Sequence, residues 1–405
     1  MPAFPTEQVA VTGFGCVTAL GGNAPKTWEA LVQGHSARAP LTAIAVQGCR
    51  VTEGAQAELP PLTGMTEKAL ARLSRASRLA QPAAAEALAH AGLLGPSGHC
   101  TLPRLEMSIS TTACGMEKGE EFLHGIWAQS SSGQSARVAH YQAQQQTAQI
   151  QRHFGFTGPV MIVANACAGG GNAIGHASDL IRAGMADIVL AGGYDALSEL
   201  VYCGFDCLQS LAPQACRPFD RGRQGLMLGE GAGFLVLESI SHAHKRGATV
   251  HAHVAGYGHT TDVHHLTQPA PDGAPLERAI RQALAKGGRE AADVGYVNAH
   301  GTGTPFNDGA EAQAFHRVFG RSTTKLSSTK AALGHTLGGA GAIEGILTVL
   351  ALQTGQLPPQ INLEDPEPLV SKHLAASNQT IQIKTALSVN LGFGGSNAAV
   401  LFTRG

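Results

Sequence analysis

Two short strings return later in the chain in the same order, and this internal echo constrains the fold more than any other feature. Val9-Ala-Val-Thr-Gly-Phe-Gly15 resembles His253-Val-Ala-Gly-Tyr-Gly258, and Gly229-Glu-Gly-Ala-Gly-Phe-Leu-Val-Leu237 resembles Gly392-Phe-Gly-Gly-Ser-Asn-Ala-Ala-Val-Leu401. Each sets a Gly-rich turn beside an aliphatic strand. The first of each pair opens a unit and the second closes it. The prediction is a duplication: two α/β halves, residues 1–245 and 246–405, packed face to face. A length of 405 residues is ample for two such cores.

The pattern between the echoes agrees with alternating strands and helices. Val160 to Ala164 reads as a strand, Ala168 to Ala183 as a helix and Ile188 to Ala191 as a second strand, a βαβ unit that implies a parallel sheet. Residues 66–92 read as a helix that Pro82 should kink or split, with Lys68, Arg72, Arg75 and Arg78 on its early turns. The Gln- and Ser-rich region 128–151 is compatible with low complexity or with a helix. Glycine is in excess, 51 of 405 residues, against an average of about 7%.

Charge excludes one class of function. With 28 Lys+Arg against 29 Asp+Glu, the net charge is -1, and a nucleic-acid binder would show a basic excess. Eight cysteines are scattered with no CxxC pair, the pattern of reduced thiols. The N-terminus lacks a basic region followed by an apolar stretch, and no apolar run reaches about 18 residues. A cytoplasmic protein without membrane insertion is expected.

Three constellations carry chemistry. In Asn165-Ala-Cys167-Ala-Gly-Gly-Gly171 an apolar strand ends, a cysteine follows and small residues open a helix. That places the thiol at a helix N-terminus, where free N–H groups favour the thiolate, and glycine leaves room for an incoming acyl group. His300, in Asn298-Ala-His300-Gly-Thr-Gly-Thr304, and His335, in Lys330-Ala-Ala-Leu-Gly-His335, both follow strand-like segments. Strand ends are where α/β proteins build sites, and two imidazoles beside an activatable thiol suit acyl chemistry. Thr12-Gly13-Phe-Gly15 resembles a dinucleotide fingerprint, but its third glycine would fall at Thr18, and no acidic residue closes a second strand. His251-Ala-His253 has no further ligand in reach, so it reads as packing and no metal is expected.

Taken in order, Asn165 to Ala168, the His300 to Thr304 loop with Asn307-Asp308, Lys330 to His335 and Asn390-Leu-Gly-Phe393-Gly-Gly-Ser-Asn397 resemble the β-ketoacyl-acyl carrier protein synthases of the elongating type. Arg217-Pro-Phe-Asp220 and the segment from Gly258 to Thr267 match as well, so the resemblance runs from Val9 to Leu401. It implies the thiolase fold, a duplicated five-layered α-β-α-β-α arrangement. It also implies an acyltransferase that condenses an acyl group on Cys167 with malonyl-acyl carrier protein, losing CO2, in fatty-acid, polyene or polyketide assembly.

By the same resemblance, His300 and His335 promote decarboxylation and stabilise the enolate. The backbone N–H groups of Cys167 and Phe393 form an oxyanion hole, and Phe393 is also a mobile gate. Lys330 and Glu344 support His335, while Thr302 and Thr304 bind the phosphopantetheine that carries the substrate; no other cofactor is implied. Cys114 and Leu391 stand at acyl-pocket positions where the family often has a larger aliphatic and an aromatic residue. Lys68 and Arg72 suit docking of an acidic carrier protein. A homodimer is implied. A chain acting as the active subunit of a heterodimer with a chain-length-factor-like partner remains the alternative, with a non-catalytic scaffold partner behind it. The presence of Cys167, His300 and His335 argues against the scaffold.

Overall fold

The computed structural model describes residues 8–62, 65–130, 138–377 and 379–405. Beside a small ribbon of Ala39–Pro40 and Glu53–Gly54, the strands of its main sheet are β1 (Val9–Thr18), β2 (Glu106–Ser110), β3 (Val160–Val163), β4 (Ile188–Asp195), β5 (Gly231–Ser239), β6 (Ala252–Thr261), β7 (Tyr296–Asn298), β8 (Lys325–Ser327), β9 (Thr385–Gly392) and β10 (Ser396–Arg404). They lie in the order β8-β7-β9-β10-β6-β1-β5-β4-β2-β3. Read outward from the centre, the two halves are the same. The opening strands β1 and β6 are followed by the closing strands β5 and β10, then β4 and β9, β2 and β7, and β3 and β8. The pairing senses also match: the two inner pairs of each half are antiparallel and the two outer pairs parallel.

The echoed strings therefore occupy equivalent places. β1 and β6 pair antiparallel through Val9 with Val254, Ala10 with His253 and Val11 with Ala252. The two halves are thus joined along one ladder rather than merely stacked. The five layers arise because helices lie between the halves and outside them. The central pair is α3 (Gly169–Arg182) and α7 (Ala340–Thr354), each packed against strands of both halves. Helix α1 (Arg75–His90) covers β1 and β5, and α5 (Ala274–Lys286) covers β6 and β10.

Glycine makes those outer contacts possible in the same way twice. A Cβ on Gly13 or Gly15 would lie 2.5 Å from a carbonyl oxygen of α1, and one on Gly256 or Gly258 would lie 2.0 and 1.9 Å from carbonyl oxygens of α5. Such distances are far inside van der Waals contact, so helix and strand backbones touch only where no side chain exists.

Several local expectations change. Pro82 sits within the continuous helix α1; the break falls earlier, at residues 71–74, where the Ser74 side chain accepts the N–H of Ser77. Proline removes one hydrogen bond, and burial of nine α1 side chains outweighs it. Arg75 leaves the expected basic stripe: it turns inward to Glu230, whose side chain is fully buried, while Lys68 and Arg72 stay exposed. In the βαβ unit β3 and β4 are both parallel to β2, which lies between them, so the crossover spans one strand. Within 128–151, Ala143 begins a helix that runs to Phe154, and 131–137 lie outside the described residues. Among the described residues, one helical stretch, Leu337–Thr354, is long and apolar enough to cross a membrane, and 83% of it is buried inside the protein.

Candidate active site

The nucleophile candidate sits on a strained turn between β3 and α3. Ala166 adopts φ 55°, in the left-handed region that alanine rarely visits. A single 3-10 turn then delivers Cys167 to the start of α3. Gly392, at the end of β9, packs against this turn so closely that a Cβ there would stand 3.1 Å from the Ala168 nitrogen and 3.3 Å from the Cys167 nitrogen. That approach brings the next residue into place: the backbone N–H groups of Phe393 and of Cys167 itself both lie where they favour the Cys167 thiolate.

The glycines after Cys167 serve helix packing rather than clearing a path for an acyl group. A Cβ on Gly170 would lie 2.6 Å from the Ala342 nitrogen, and one on Gly341 would lie 2.3 Å from the Gly171 nitrogen. Helices α3 and α7 therefore cross backbone to backbone, and each delivers a site element from a different half. The expected thiolate is also corrected. Cys167 is buried, and burial pushes its thiol up to about 12. Lys330 and the two N–H groups pull the other way but do not prevail, and Asp195 adds to the rise. The resting protein carries a neutral thiol.

His300 and His335 meet edge to face, with ring centroids 5.3 Å apart and planes at 87°. Both are buried, and burial together with the nearby Lys330 holds both well below the usual imidazole range. Both rings are thus neutral at neutral pH, each with one N–H to give and one nitrogen to accept. Nδ1 of each ring has no hydrogen-bond partner among the described residues, so no protein group dictates the tautomer.

The backbone around the two rings is rigid. From helix α6 (Pro305–Phe319), Glu311 accepts the N–H of His300 at 2.8 Å and that of Gly301 at 2.6 Å, and Asp308 accepts that of Gly303 at 3.1 Å. His335 is tied to the first half: its N–H donates to Met227 at 2.7 Å and its carbonyl accepts from Gly229 at 3.0 Å. Behind the rings, Lys330 and Glu344 form an ion pair with both side chains 1% exposed, and Asn390 donates to Glu344 at 2.6 Å.

These groups face a cavity of about 160 Å³. Cys167, His300, His335, Thr302 and Thr304 line it, together with Leu391 and Phe393. The hydroxyls of Thr302 and Thr304 are 2.9 Å apart. Phe393 is 37% exposed and stacks on Phe205, with centroids 5.6 Å apart. Cys114 stands at φ 55° before helix α2 (Met116–Trp127), outside the residues lining this cavity, on a segment that Asp195 holds at the end of β4 by accepting the N–H groups of Thr112 and Ala113; the same carboxylate adds to the rise of the Cys167 thiol, so the segment lies on the nucleophile's side. Lys68 and Arg72 also lie outside the lining. Among the described residues, no group of three or more His, Cys, Asp or Glu side chains could hold a metal ion.

Two participants had escaped the motif reading. Asp195 closes an ordinary apolar strand. Phe205 lies on helix α4 (Glu199–Cys207) with no sequence signal beyond its aromatic side chain.

Comparison with known proteins gives a uniform result. Residues 6–243 match the family description "Beta-ketoacyl synthase, N-terminal domain", and residues 251–364 match "Beta-ketoacyl synthase, C-terminal domain". The chain is 37% identical over 402 residues to Nodulation protein E of Rhizobium meliloti (strain 1021), covering 98% of this chain and 99% of that one. It is 34% identical over 413 residues to 3-oxoacyl-[acyl-carrier-protein] synthase 2 of Staphylococcus aureus (strain COL), covering 98% of each. Among solved structures, the ishigamide ketosynthase/chain length factor superposes with a TM-score of 0.91 at 30% identity, covering 99% of this chain and all of that one.

Proposed function

The chain belongs to the β-ketoacyl synthase family, a thiolase-fold ketosynthase of fatty-acid or polyketide assembly, and from that premise we propose that Cys167 carries the acyl group while His300 and His335 act on the malonyl thioester. One observation carries this assignment: a thiol with two N–H donors and two neutral imidazoles share one cavity.

In the first half-reaction the Cys167 sulfur attacks the acyl thioester as its proton passes to an imidazole. The N–H groups of Cys167 and Phe393 receive the tetrahedral oxyanion, and the carrier thiol leaves with the proton. In the second, malonyl thioester loses CO2 and its bonding pair becomes an enolate, whose oxygen accepts an imidazole N–H. The enolate carbon attacks the acyl carbon, the bond to Cys167 breaks, and the thiolate takes a proton from solvent, which balances the CO2 lost from the malonyl carboxylate. Neutral rings suit both steps: each has a free nitrogen to accept the thiol proton without first having to be deprotonated, and an N–H to donate to the enolate oxygen. Lys330 with Glu344 keeps a positive charge beside the thiol.

The substrate arrives on an acyl carrier protein, with Thr302 and Thr304 taking the phosphopantetheine amides and the exposed Lys68 and Arg72 meeting acidic carrier groups. Leu391 in the wall bears on the acyl chain. No resident cofactor is required, and the setting is cytoplasmic, in keeping with eight free cysteines. The halves 1–245 and 246–405 act as one unit.

A second copy or a chain-length-factor-like subunit completes the assembly. Strand β3 ends the sheet unpaired on one side, with Met161 49% exposed, and Leu123, Ile126 and Trp127 of α2 are exposed. An open strand edge with apolar surface invites a partner. The heterodimeric form draws support from the ketosynthase/chain length factor among the neighbours.

Incubation with an acyl thioester followed by mass spectrometry tests the assignment. An adduct on Cys167, absent in Cys167→Ala, is expected; a protein that takes up no acyl group overturns it. His300→Ala and His335→Ala should still acylate but release CO2 from malonyl thioester far more slowly.

A further inference from the structure

Helix α4 carries more than Phe205. The Sγ atom of Cys203, on the same helix, lies 3.6 Å from that of Cys49, a residue 154 positions away in sequence. A disulfide requires about 2.0 Å between sulfurs, so side-chain rotation has a short distance to close. The backbone around Cys49 is already seated on α4: Asp206 accepts the N–H of Arg50 at 2.9 Å and that of Val51 at 3.3 Å, and the Arg50 guanidinium donates to the Asp206 carbonyl at 3.0 Å. Both thiols are half-buried, and Cys207, one turn beyond Cys203, is exposed. The same helix presents Phe205 to the cavity and to the ring of Phe393.

We propose that Cys49 and Cys203 form a dithiol modification site, which a low-molecular-weight disulfide of the glutathione type oxidises to an intrachain disulfide, clamping α4 and the cavity wall it carries. In the first step the Cys203 thiolate attacks the reagent, forming a mixed disulfide and expelling one small thiolate. Cys49, losing its proton, then attacks the Cys203 sulfur and expels the second. Two protein thiols are oxidised to one disulfide, one small disulfide is reduced to two thiols, and the two protons go to the leaving groups. Cytosolic disulfides are characteristically transient and redox-sensing, and this pair is remote in sequence yet adjacent in space. A crosslink there ties the loop at residues 46–51 to the helix that backs Phe393.

The effect on catalysis rests on the function proposed above; the crosslink does not. The whole chain is treated with oxidised glutathione, digested and mapped by mass spectrometry. Loss of two hydrogens is expected, with a peptide pair joining residues 49 and 203 that dithiothreitol reverses and that Cys49→Ser and Cys203→Ser each abolish. Glutathione adducts alone, or a bridge between Cys203 and Cys207, overturn the site. In parallel, condensation by the oxidised protein should fall at least about fivefold relative to Cys49→Ser treated identically, with Cys167 still open to alkylation. A crosslink with an unchanged rate overturns the clamp. An untreated protein without condensing activity overturns the function instead, and leaves the mass readout intact.

Discussion

The carboxylate of Asp195 accepts the backbone N–H of Gly338 at 2.7 Å, so the end of strand β4 in the first half holds the turn that follows His335 in the second. The same buried carboxylate accepts the Thr111 hydroxyl at 2.7 Å and the N–H groups of Thr112 and Ala113 at 2.9 and 2.8 Å. Four donors converge on two oxygens. Asp195→Asn offers one accepting oxygen and turns an NH2 toward N–H groups that have no other partner. Urea unfolding should show a loss of about 2–4 kcal/mol, and CO2 release from malonyl thioester should fall at least about tenfold as His335 shifts. An Asn variant with normal stability and rate would remove Asp195 from any positioning role.

Neutral imidazoles predict a flat pH response. His300 and His335 are held well below the usual range, so CO2 release should stay level from pH 8 down to about 6.5. The stability consequence has a definite sign. As pH falls below about 6.5 the unfolded chain takes up protons that the native rings refuse, so the unfolded state binds more protons and stability declines with falling pH. His300→Gln/His335→Gln should lose part of that decline in thermal melts compared at pH 8 and 5. A decarboxylation step titrating at or above 6.5 would contradict the neutral pair.

The buried thiol predicts a slow, steeply pH-dependent alkylation. With Cys167 pushed up to about 12, iodoacetamide labelling at this residue should climb through pH 9 without a plateau near neutrality. In Lys330→Met the charge that favours the thiolate is gone, so labelling at any given pH should slow further. The same change leaves Glu344 buried with only Asn390 donating to its side chain, at a cost of about 3–5 kcal/mol.

The crossing of α3 and α7 should tolerate no added carbon. In Gly341→Ala the new Cβ would meet the Gly171 nitrogen at 2.3 Å, so the helices must separate, at about 1–3 kcal/mol or more. Because α3 begins beside Cys167, acylation should slow with the loss of stability. Gly204→Ala is the control: nothing lies within 4 Å of the new methyl on that exposed helix position, and it should be neutral or stabilising by up to about 1 kcal/mol.

Charge reversal tests the carrier surface. Lys68→Glu/Arg72→Glu should raise KM for carrier-borne substrates severalfold at low salt while leaving small thioester substrates unaffected, and the difference should shrink as salt is raised. Equal effects on both substrate types would exclude docking there.

Much of this molecule was legible before any coordinates. The strings at Val9 and His253 announced the duplication because glycines at matching positions are required wherever a helix backbone rests directly on a strand, and that tertiary requirement leaves its mark in the strand's own sequence. Cys167, His300 and His335 were legible for a similar reason: each stands beside glycines and at a strand end, both readable along the chain. The setting of Cys114 was not legible, because Asp195 fixes its segment from another strand and nothing in the sequence around residue 114 records that contact. Pro82 misled because the burial of α1 is tertiary and outweighs one missing hydrogen bond.

Sequence alone therefore determined the duplication and the residue types of the reacting groups, since these follow from local periodicity, glycine spacing and side-chain chemistry, while the family was legible only as a resemblance of motifs. Tertiary structure decided their state. Burial, not the helix terminus, sets the Cys167 thiol neutral, and the shared burial beside Lys330 keeps both imidazoles uncharged. The Asp195 to Gly338 bond and the α3–α7 crossing bind together segments that the chain keeps more than a hundred residues apart. Desolvation and cross-half contacts depend on everything packed around a group, and no string of neighbours in sequence encodes that sum.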